Sequence, residues 1–172
     1  VRQSGWQTVQ TMRYLFDGEN DRAHSGWYED TKAGAKYHFG VEGYADTGLV
    51  KIGKDGEEAT GYYYFAEDGT QLLNEQQIQG SYYYFDPAKG GKAHTDWRET
   101  AEGWRYHCAQ GYAVTGLATV GTDLFYFNDQ GFRQTGWHTI NGRRYPFHPA
   151  TGKGTKRWFK DTLGHYYLPS ED

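Results

Sequence analysis

The chain has 172 residues and a formal net charge of −4, with acidic and basic residues mixed along its length. Nucleic-acid binding is disfavoured because phosphate contacts need clustered Lys and Arg, and no apolar run reaches the roughly 18 residues of a membrane-spanning helix. Hydrophobic residues make up only 37% of the chain but aromatic residues 18%, and there are 24 glycines. Any core must therefore be built from aromatic rings, separated by many tight turns.

An aromatic-x-aromatic triplet recurs along the whole chain and is the first of two sequence landmarks. It occurs eight times at a spacing of 19 to 26 residues, which indicates a tandem repeat. The triplets are Tyr14-Leu15-Phe16, Tyr37-His38-Phe39, Tyr63-Tyr64-Phe65, Tyr83-Tyr84-Phe85, Tyr106-His107-Cys108, Phe125-Tyr126-Phe127, Tyr145-Pro146-Phe147 and Tyr166-Tyr167-Leu168.

The second landmark is a Gly-Trp or Gly-Leu pair that precedes the triplet. It is present as Gly5-Trp6, Gly26-Trp27, Gly48-Leu49, Gly116-Leu117 and Gly136-Trp137. We expect Asp96-Trp97 and Arg157-Trp158 to fill the same place in two other repeats, and Leu73 in the remaining one. The predicted repeats of this single array are approximately 4–24, 25–47, 48–72, 73–95, 96–115, 116–135, 136–156 and 157–172.

Each repeat has the pattern of a β-hairpin. Residues 137–140 predict an extended strand, Asn141-Gly142 is typical of a two-residue hairpin turn, and the triplet forms the return strand. Alternation places Tyr145 and Phe147 on one face, with Pro146 pointing away. Because an isolated hairpin is marginal in water, we predict stacked hairpins. The predicted fold class is all-β, a β-hairpin repeat solenoid of about eight repeats of roughly 20 residues.

Three places depart from this pattern. The third repeat carries an insertion between Leu49 and Tyr63, and segment 71–79 lacks a clear strand pattern, so we expect irregular structure with a helical turn there. Cys108 stands where other triplets have Phe, and we expect it in the core. As the sole cysteine, it also excludes an internal disulfide framework.

Two segments resemble the cell-wall-binding repeat: 135–147, with the sequence TGWHTINGRRYPF, and 61–69, with the sequence GYYYFAEDG. That superfamily includes choline-binding repeats of pneumococcal surface proteins, glucan-binding repeats of streptococcal glucansucrases and repetitive oligopeptides of clostridial toxins. The resemblance extends over essentially the whole chain. It implies a β-hairpin solenoid, usually C-terminal to a catalytic or effector domain, on a secreted or cell-surface Gram-positive protein. We therefore expect the chain to be a fragment of a longer secreted protein, or a mature product.

In the choline-binding branch, the residue before the triplet is usually Trp, which forms one wall of an aromatic cage for a quaternary ammonium. Basic residues at this position would repel a cation, so choline binding throughout the array is disfavoured. One or two cages near Tyr62 and Tyr82 stay open as an alternative. The residues before the eight triplets are Arg13, Lys36, Tyr62, Tyr82, Arg105, Leu124, Arg144 and His165.

A sugar polymer fits these residues better, since sugar rings stack on aromatic side chains and sugar hydroxyls accept hydrogen bonds from basic side chains. Weak binding at each repeat would be strengthened by multivalency. The first and third triplet residues are expected in the core and the other face at the surface, while each Trp is expected in a groove between hairpins, where packing alone is an equal alternative. The predicted carbohydrate-binding residues are Trp6, Trp27, Trp97, Trp137, Trp158, Tyr62, Tyr64, Tyr82, Tyr84, Tyr126 and Tyr167.

Catalytic, metal and cofactor sites are not predicted. The seven histidines are dispersed, and neither Cys-x-x-Cys nor His-Glu-x-x-His spacing occurs. The acidic residues that a glycosidase would need fall mostly in turns, and no Gly-x-Ser-x-Gly motif is present.

The leading hypothesis is a non-catalytic module for a cell-surface or extracellular polysaccharide, glucan or Gram-positive cell-wall glycan, on a secreted or cell-surface protein. Two alternatives remain: a choline- or teichoic-acid-binding anchor, and a structural spacer or adhesin repeat. The expected partner is a polysaccharide or cell-wall polymer, not nucleic acid. Hydrophobic repeat ends would also allow self-association.

Overall fold

Antiparallel pairs of short strands follow one another in the computed structural model, which describes residues 4–18, 22–53, 60–154, 159–160 and 166–167. In chain order the strands are β1 (Ser4–Val9), β2 (Met12–Asp17), β3 (Gly26–Asp30), β4 (Ala35–Phe39), β5 (Gly48–Ile52), β6 (Gly61–Phe65), β7 (Gln71–Leu72), β8 (Asn74–Ile78), β9 (Ser81–Asp86), β10 (Lys92–Ala93), β11 (Asp96–Thr100), β12 (Gly103–His107), β13 (Gly116–Val120), β14 (Asp123–Phe127), β15 (Gly136–Ile140), β16 (Arg143–Phe147), β17 (Phe159–Lys160) and β18 (Tyr166–Tyr167).

Eight hairpins result, numbered here in chain order: β1–β2, β3–β4, β5–β6, β8–β9, β11–β12, β13–β14, β15–β16 and β17–β18. Strands β7 and β10 add a third strand to hairpins 3 and 4. In the described ranges, a 3₁₀ turn at Pro87–Lys89 is the one helical element, and no helix there is long and apolar enough to cross a membrane.

The chain divides into two compact units. The first comprises Val1–Gln76 and Tyr84–His94, and the second Gln77–Tyr83 and Thr95–Asp172. Hairpin 4 therefore contributes residues to both units.

The glycine of the Gly-Trp landmark opens its strand with a left-handed backbone, as at Gly26, where φ is 78°. Asn74 (φ 65°) and Asp96 (φ 82°) begin β8 and β11 in the same conformation, which Asn and Asp tolerate better than other non-glycine residues. The prediction that Leu73 fills the Trp place is therefore wrong. Asn74 takes the glycine place, and Glu75 follows it where other repeats have Trp or Leu.

The irregular structure predicted for segment 71–79 is also wrong, because this segment is extended. Gln71 and Leu72 pair with Phe65 and Tyr64 of β6, and β8 pairs with β9 through a turn at Gln79-Gly80 whose φ angles are 49° and 84°. Two successive positive φ values are typical of the two-residue hairpin turn. Pairing with neighbouring strands thus overrides the weak strand propensity of a polar segment.

In hairpin 7 the prediction that Pro146 points away from the core is wrong, because Pro146 is buried while Tyr145 is only half-buried. In hairpins 2, 3, 4 and 6 the alternation predicted for the triplet is confirmed. Its third residue is at most 1% exposed in five hairpins, namely at Phe39, Phe65, Phe85, Phe127 and Phe147, and its first residue is buried at Tyr37, Tyr63, Tyr83 and Phe125. These rings replace an aliphatic core.

The segment that follows a hairpin, called here its connector, bonds in several repeats to the preceding hairpin as well as to its own. Ala45 bridges to Phe39 of its own hairpin, while its amide donates to the carbonyl oxygen of Arg13 in hairpin 1, 2.8 Å away. Ala113 does the same with His107 and with the carbonyl oxygen of Tyr82 at 2.7 Å.

The same two bonds recur further along the second unit. Arg133 bridges to Phe127 and its amide donates to the carbonyl oxygen of Trp104, 2.7 Å away. These connectors therefore hold one hairpin against the next within each unit, as in a solenoid. The predicted fold class, an all-β hairpin repeat, is confirmed.

Candidate functional site

The landmark tryptophans Trp6, Trp27, Trp97 and Trp137 are half-buried. Three of them pack on the first triplet ring of the next hairpin and so lie between adjacent hairpins, as the sequence predicts. The centroids of Trp6, Trp27 and Trp97 are 4.8, 5.0 and 4.9 Å from those of Tyr37, Tyr63 and Phe125. These tryptophans thus contribute to packing and still present part of their surface to solvent.

Three of these tryptophans carry a cation from the return strand of their own hairpin. The basic residue before the triplet lies diagonally across the strand pair from the Trp, which brings its charge over the ring. Arg13, Lys36 and Arg144 lie 4.3, 4.7 and 4.7 Å from the ring centroids of Trp6, Trp27 and Trp137. The contacts are cation–π interactions, and each places an internal positive charge on its tryptophan ring.

Hairpin 5 has a register one residue away from the one predicted. Strand β12 ends at His107, with Arg105 and His107 only 2% and 1% exposed, whereas Cys108 lies beyond the strand and is partly exposed. The triplet of this repeat is therefore Arg105-Tyr106-His107, and the prediction that Cys108 replaces a core Phe is wrong. A one-residue shift moves every side chain of a strand to its other face.

Arg105 consequently lies in the core and not on the surface face. Its guanidinium is held between the rings of Tyr82 and Phe132, at 4.6 and 4.1 Å from their centroids. Its Nε donates a hydrogen bond to the carbonyl oxygen of Gln130 at 2.9 Å. Burial of the charge is tolerated because two ring faces and a carbonyl replace water.

The same shift places Trp104 before the triplet, the position at which sequence reasoning put Arg105. The rings of Trp97 and Trp104 stand edge to face, with centroids 6.4 Å apart and planes at 75°. The signal that could have found Trp104 is the spacing of eight residues from Trp97 to Arg105, which equals the spacing from Leu117 to Phe125 in the next repeat.

A cavity of about 530 Å³ opens beside these two tryptophans in the second compact unit. We call it the tryptophan cleft. An ion pair between Lys153 Nζ and Asp123 Oδ2, 2.6 Å apart, lies at its edge with both side chains substantially exposed. The cleft is lined by Trp97, Trp104, Val120, Asp123, Phe125, Arg133, Ala150, Thr151 and Lys153.

Arg133 reaches into this cleft from the connector of hairpin 6. Its guanidinium carbon is 5.9 Å from the ring centroids of both Trp97 and Trp104. Nη1 donates to the carbonyl oxygen of Thr151 at 2.8 Å and Nη2 to that of Ala150 at 3.3 Å. Burial lowers the pKa of Arg133 from its ordinary value, and the nearby Glu99 carboxylate opposes this shift. An arginine nevertheless keeps its charge at neutral pH.

The sequence of the chain is similar to segments of two streptococcal proteins. No protein-family model matches the chain. Glucosyltransferase-S of Streptococcus mutans is 30% identical over 164 residues, which cover 92% of this chain and 11% of that protein. Glucosyltransferase-I of Streptococcus downei is 30% identical over 163 residues, covering 94% of this chain and 9% of that protein. The chain thus spans about a tenth of the length of the curated relatives it matches.

Solved structures show the same fold. Choline binding protein F from Streptococcus pneumoniae superposes with a TM-score of 0.66 at 23% identity, over 96% of this chain and 58% of that chain. The choline-binding domain of CbpL from the same organism gives 0.59 at 19% identity, over 96% and 87% of the two chains. The chain is thus similar over nearly its whole length to a segment of two streptococcal glucosyltransferases, and it shares the hairpin-repeat fold of these two choline-binding proteins.

In this hairpin-repeat chain, two predicted surface tyrosines serve chiefly to pack one hairpin on the next. Tyr64 stacks on Phe85 with centroids 5.7 Å apart and planes at 17°, and Tyr126 stacks on Phe147 at 6.0 Å and 26°. All are half-buried or buried. A neighbouring phenylalanine ring thus stacks on each of these tyrosines, and their role in sugar binding stays a prediction.

The other predicted tyrosines differ in what they contact. Tyr82 carries the Arg105 guanidinium on its ring, and Tyr84 lies 6.4 Å from the His94 ring. Tyr62 is half-buried. Trp158 lies outside the described residues, and only the backbone of Tyr167 is described, in β18. Among the described residues, no group of three His, Cys, Asp or Glu side chains gathers where it could hold a metal ion.

Proposed function

We propose that this chain is a non-catalytic polysaccharide-binding module, which takes glucan or a Gram-positive cell-wall glycan into the grooves between its hairpins. The observation that carries the proposal is the tryptophan cleft. Two half-buried indole rings stand edge to face there, beside the charged groups of Arg133, Asp123 and Lys153. Apolar walls with a few polar groups are the usual composition of a small-molecule site.

The cleft suits a sugar because a pyranose ring has two kinds of surface. Its C–H faces stack on an indole, while its hydroxyl groups exchange hydrogen bonds with carboxylate and ammonium groups such as those of Asp123 and Lys153. The volume of about 530 Å³ falls within the roughly 300–1,000 Å³ of ligand pockets. One such cleft gives modest affinity, and repeated grooves along a polymer raise it by multivalency.

The relatives support binding rather than group transfer. They are named as glucosyltransferases, but they share with this chain only about a tenth of their length. We therefore infer that the chain supplies attachment to a polymer, in a secreted or cell-surface protein, while any chemistry belongs to other domains. Self-association through the repeat ends stays a prediction.

Choline remains the alternative ligand, since neighbours in the fold are named choline-binding proteins. The internal cations of this chain weigh against it. Arg13, Lys36 and Arg144 lie on three landmark tryptophans, and Arg133 on the fourth that the structure describes. A quaternary ammonium would meet like charge at each of these rings.

Affinity electrophoresis through gels containing dextran, mutan or no polymer tests the proposal, with sedimentation on purified Gram-positive cell walls alongside. We expect retardation by at least one glucan or retention on the walls, and no release by choline. Trp104→Ala should weaken binding, while Arg143→Ala, an exposed change outside the cleft, should not. If the well-folded protein binds none of these polymers, the structural-spacer interpretation replaces the glycan-binding one. Release by millimolar choline would favour the choline anchor.

A further inference from the structure

Arg133 stands at a position that is alanine in four other repeats, glutamine (Gln71) in hairpin 3 and glycine (Gly154) in hairpin 7. It bridges to the third triplet residue of its hairpin, Phe127. The residues that make the same bridge after hairpins 1, 2 and 5 are Ala23, Ala45 and Ala113, and Ala93 pairs in the same way with Phe85. Alanine fits there because the place is closely packed, with Ala45, Ala93 and Ala113 at most 6% exposed. A long side chain at this point must extend out of the connector, and that of Arg133 extends into the tryptophan cleft.

The guanidinium lies where a bound cation would lie. Its distance to the two indole centroids is the same, 5.9 Å, so it faces the pair of rings and not one of them. Two backbone carbonyl oxygens, of Ala150 and Thr151, accept its hydrogen bonds on the other side. Two aromatic rings approached by one cation are the arrangement in which cation–π attraction recognises quaternary ammonium groups.

Comparison with hairpin 1 shows that the internal cation comes from a different position of the repeat. There the return strand supplies the cation, Arg13 over Trp6, and the next connector supplies Ala45. At hairpin 5 the return strand supplies Trp104 and the next connector supplies Arg133. Each of the two grooves therefore holds one landmark tryptophan and one internal cation, although different positions provide the charge.

We propose that Arg133 is the specificity-determining residue of the tryptophan cleft: as an internal cation it occupies the place between Trp97 and Trp104 that an external quaternary ammonium would take. The cleft is thereby reserved for uncharged, hydroxyl-bearing rings. This last step rests on the proposed glycan-binding function, whereas the exclusion of cations does not. Removing the charge of Arg133 should convert the cleft into a quaternary ammonium site.

The test is a titration with choline and with tetramethylammonium, followed by isothermal calorimetry and by tryptophan fluorescence. Arg133→Ala introduces the residue that four other repeats have at this position, so the backbone should accept it. Arg133→Gln keeps most of the length of the side chain without its charge and serves as the second variant if the alanine variant folds poorly. Arg143→Ala removes an exposed arginine elsewhere in the same compact unit and is the matched control.

We expect both Arg133 variants to bind choline about tenfold or more tightly than the wild type, the size of effect that desolvated cation–π contacts supply. The control should behave as the wild type. Adding Trp104→Ala to Arg133→Ala should abolish the gain, which locates the new site in the cleft.

Folded Arg133 variants that bind choline no better than the wild type overturn the proposal, and so does a gain that survives loss of Trp104. The polymer assays on the wild type run separately. If the wild type binds no glycan while Arg133→Ala gains choline binding, only the proposed function fails. If glycan binding is present and the gain is absent, only the assignment of Arg133 fails.

Discussion

Gly131 lies directly on the methyl group of Ala113, so closely that a Cβ at residue 131 would come within 2.9 Å of the alanine Cβ. Gly69 lies on Ala45 in the same way, again at 2.9 Å. Successive connectors are therefore stacked glycine on alanine inside each compact unit. At these turns the close contact with alanine requires glycine, in addition to the positive φ angle that the turn itself requires.

Replacing Gly131 by alanine should destabilise the protein for two separable reasons. The φ of Gly131 is 80°, which costs an L-residue about 1–2 kcal/mol, and the new methyl group would overlap Ala113, which costs about 1–3 kcal/mol more. Gly116→Ala is the matched control, because Gly116 has a φ of 74° and a Cβ added there would meet no atom within 4 Å. Urea unfolding should therefore show a clearly larger loss for Gly131→Ala. Equal losses would mean that the connectors are not held by this contact.

Substitutions of the two tryptophans of the cleft should differ in their effects on stability and on polymer binding. Trp97 packs on Phe125 and Phe127 at 4.9 and 5.9 Å, so Trp97→Ala should cost about 3 kcal/mol of unfolding free energy. Trp104 contacts chiefly Trp97 and Arg133, so Trp104→Ala should cost about 1 kcal/mol, the size of one aromatic pair.

Both variants are then tested for polymer binding at a temperature where each is folded. We expect Trp104→Ala to lower glycan affinity roughly tenfold, or about 1.4 kcal/mol, despite its small effect on stability. If Trp104→Ala lost stability but kept full affinity for the polymer, Trp104 would serve packing alone.

The sequence was sufficient to predict the hairpins, because segments such as Ala35–Phe39 combine core rings at a period of two with flanking glycines. It was not sufficient at hairpin 5. Tyr106 there resembles the first residue of a triplet, but Arg105 occupies that place. The buried guanidinium of Arg105 is stabilised by rings from other repeats, here Tyr82 and Phe132. The sequence pattern within one repeat does not predict contacts with rings of other repeats.

The tryptophan cleft was missed for a related reason. Its two halves come from a return strand, which supplies Trp104, and from a later connector, which supplies Arg133. The backbone bond between these same two residues brings them together. Single residues such as Trp97 were predictable from the Gly-Trp landmark, whereas the partner that gives a groove its charge depends on which connector lies across it.

Alkaline pH should weaken the aromatic core through Tyr63. Burial raises the pKa of Tyr63 above the ordinary value of 10.0, so the unfolded chain releases this proton first as pH rises. Stability from Tyr63 is therefore complete below pH 10 and falls as pH rises above it, by up to about 1.4 kcal/mol per pH unit until the folded-state pKa is reached.

Tyr63→Phe removes this ionisation and keeps the ring. We expect the difference in unfolding free energy between variant and wild type to shift in favour of the variant from pH 8 to about pH 11. The measurement at pH 8 serves as the internal control for any contact that the hydroxyl makes. A difference that stays constant across this range would contradict the assigned effect of burial.

Arg105 should be indispensable as an arginine. Its planar group fits between two rings while Nε bonds to Gln130. Arg105→Ala leaves a gap between Tyr82 and Phe132, and we expect a loss of about 2–4 kcal/mol in urea unfolding, the range for removing a buried and bonded side chain.

Arg105→Lys should not rescue the protein, because an ammonium is not planar and is more strongly hydrated than a guanidinium. Arg143→Ala, at an exposed site on β16, is the control and should stay within about 0.5 kcal/mol of the wild type. If lysine restores wild-type stability, charge alone is what this core position requires, and the stacked geometry does not explain why an arginine occupies a place that other repeats give to an aromatic ring.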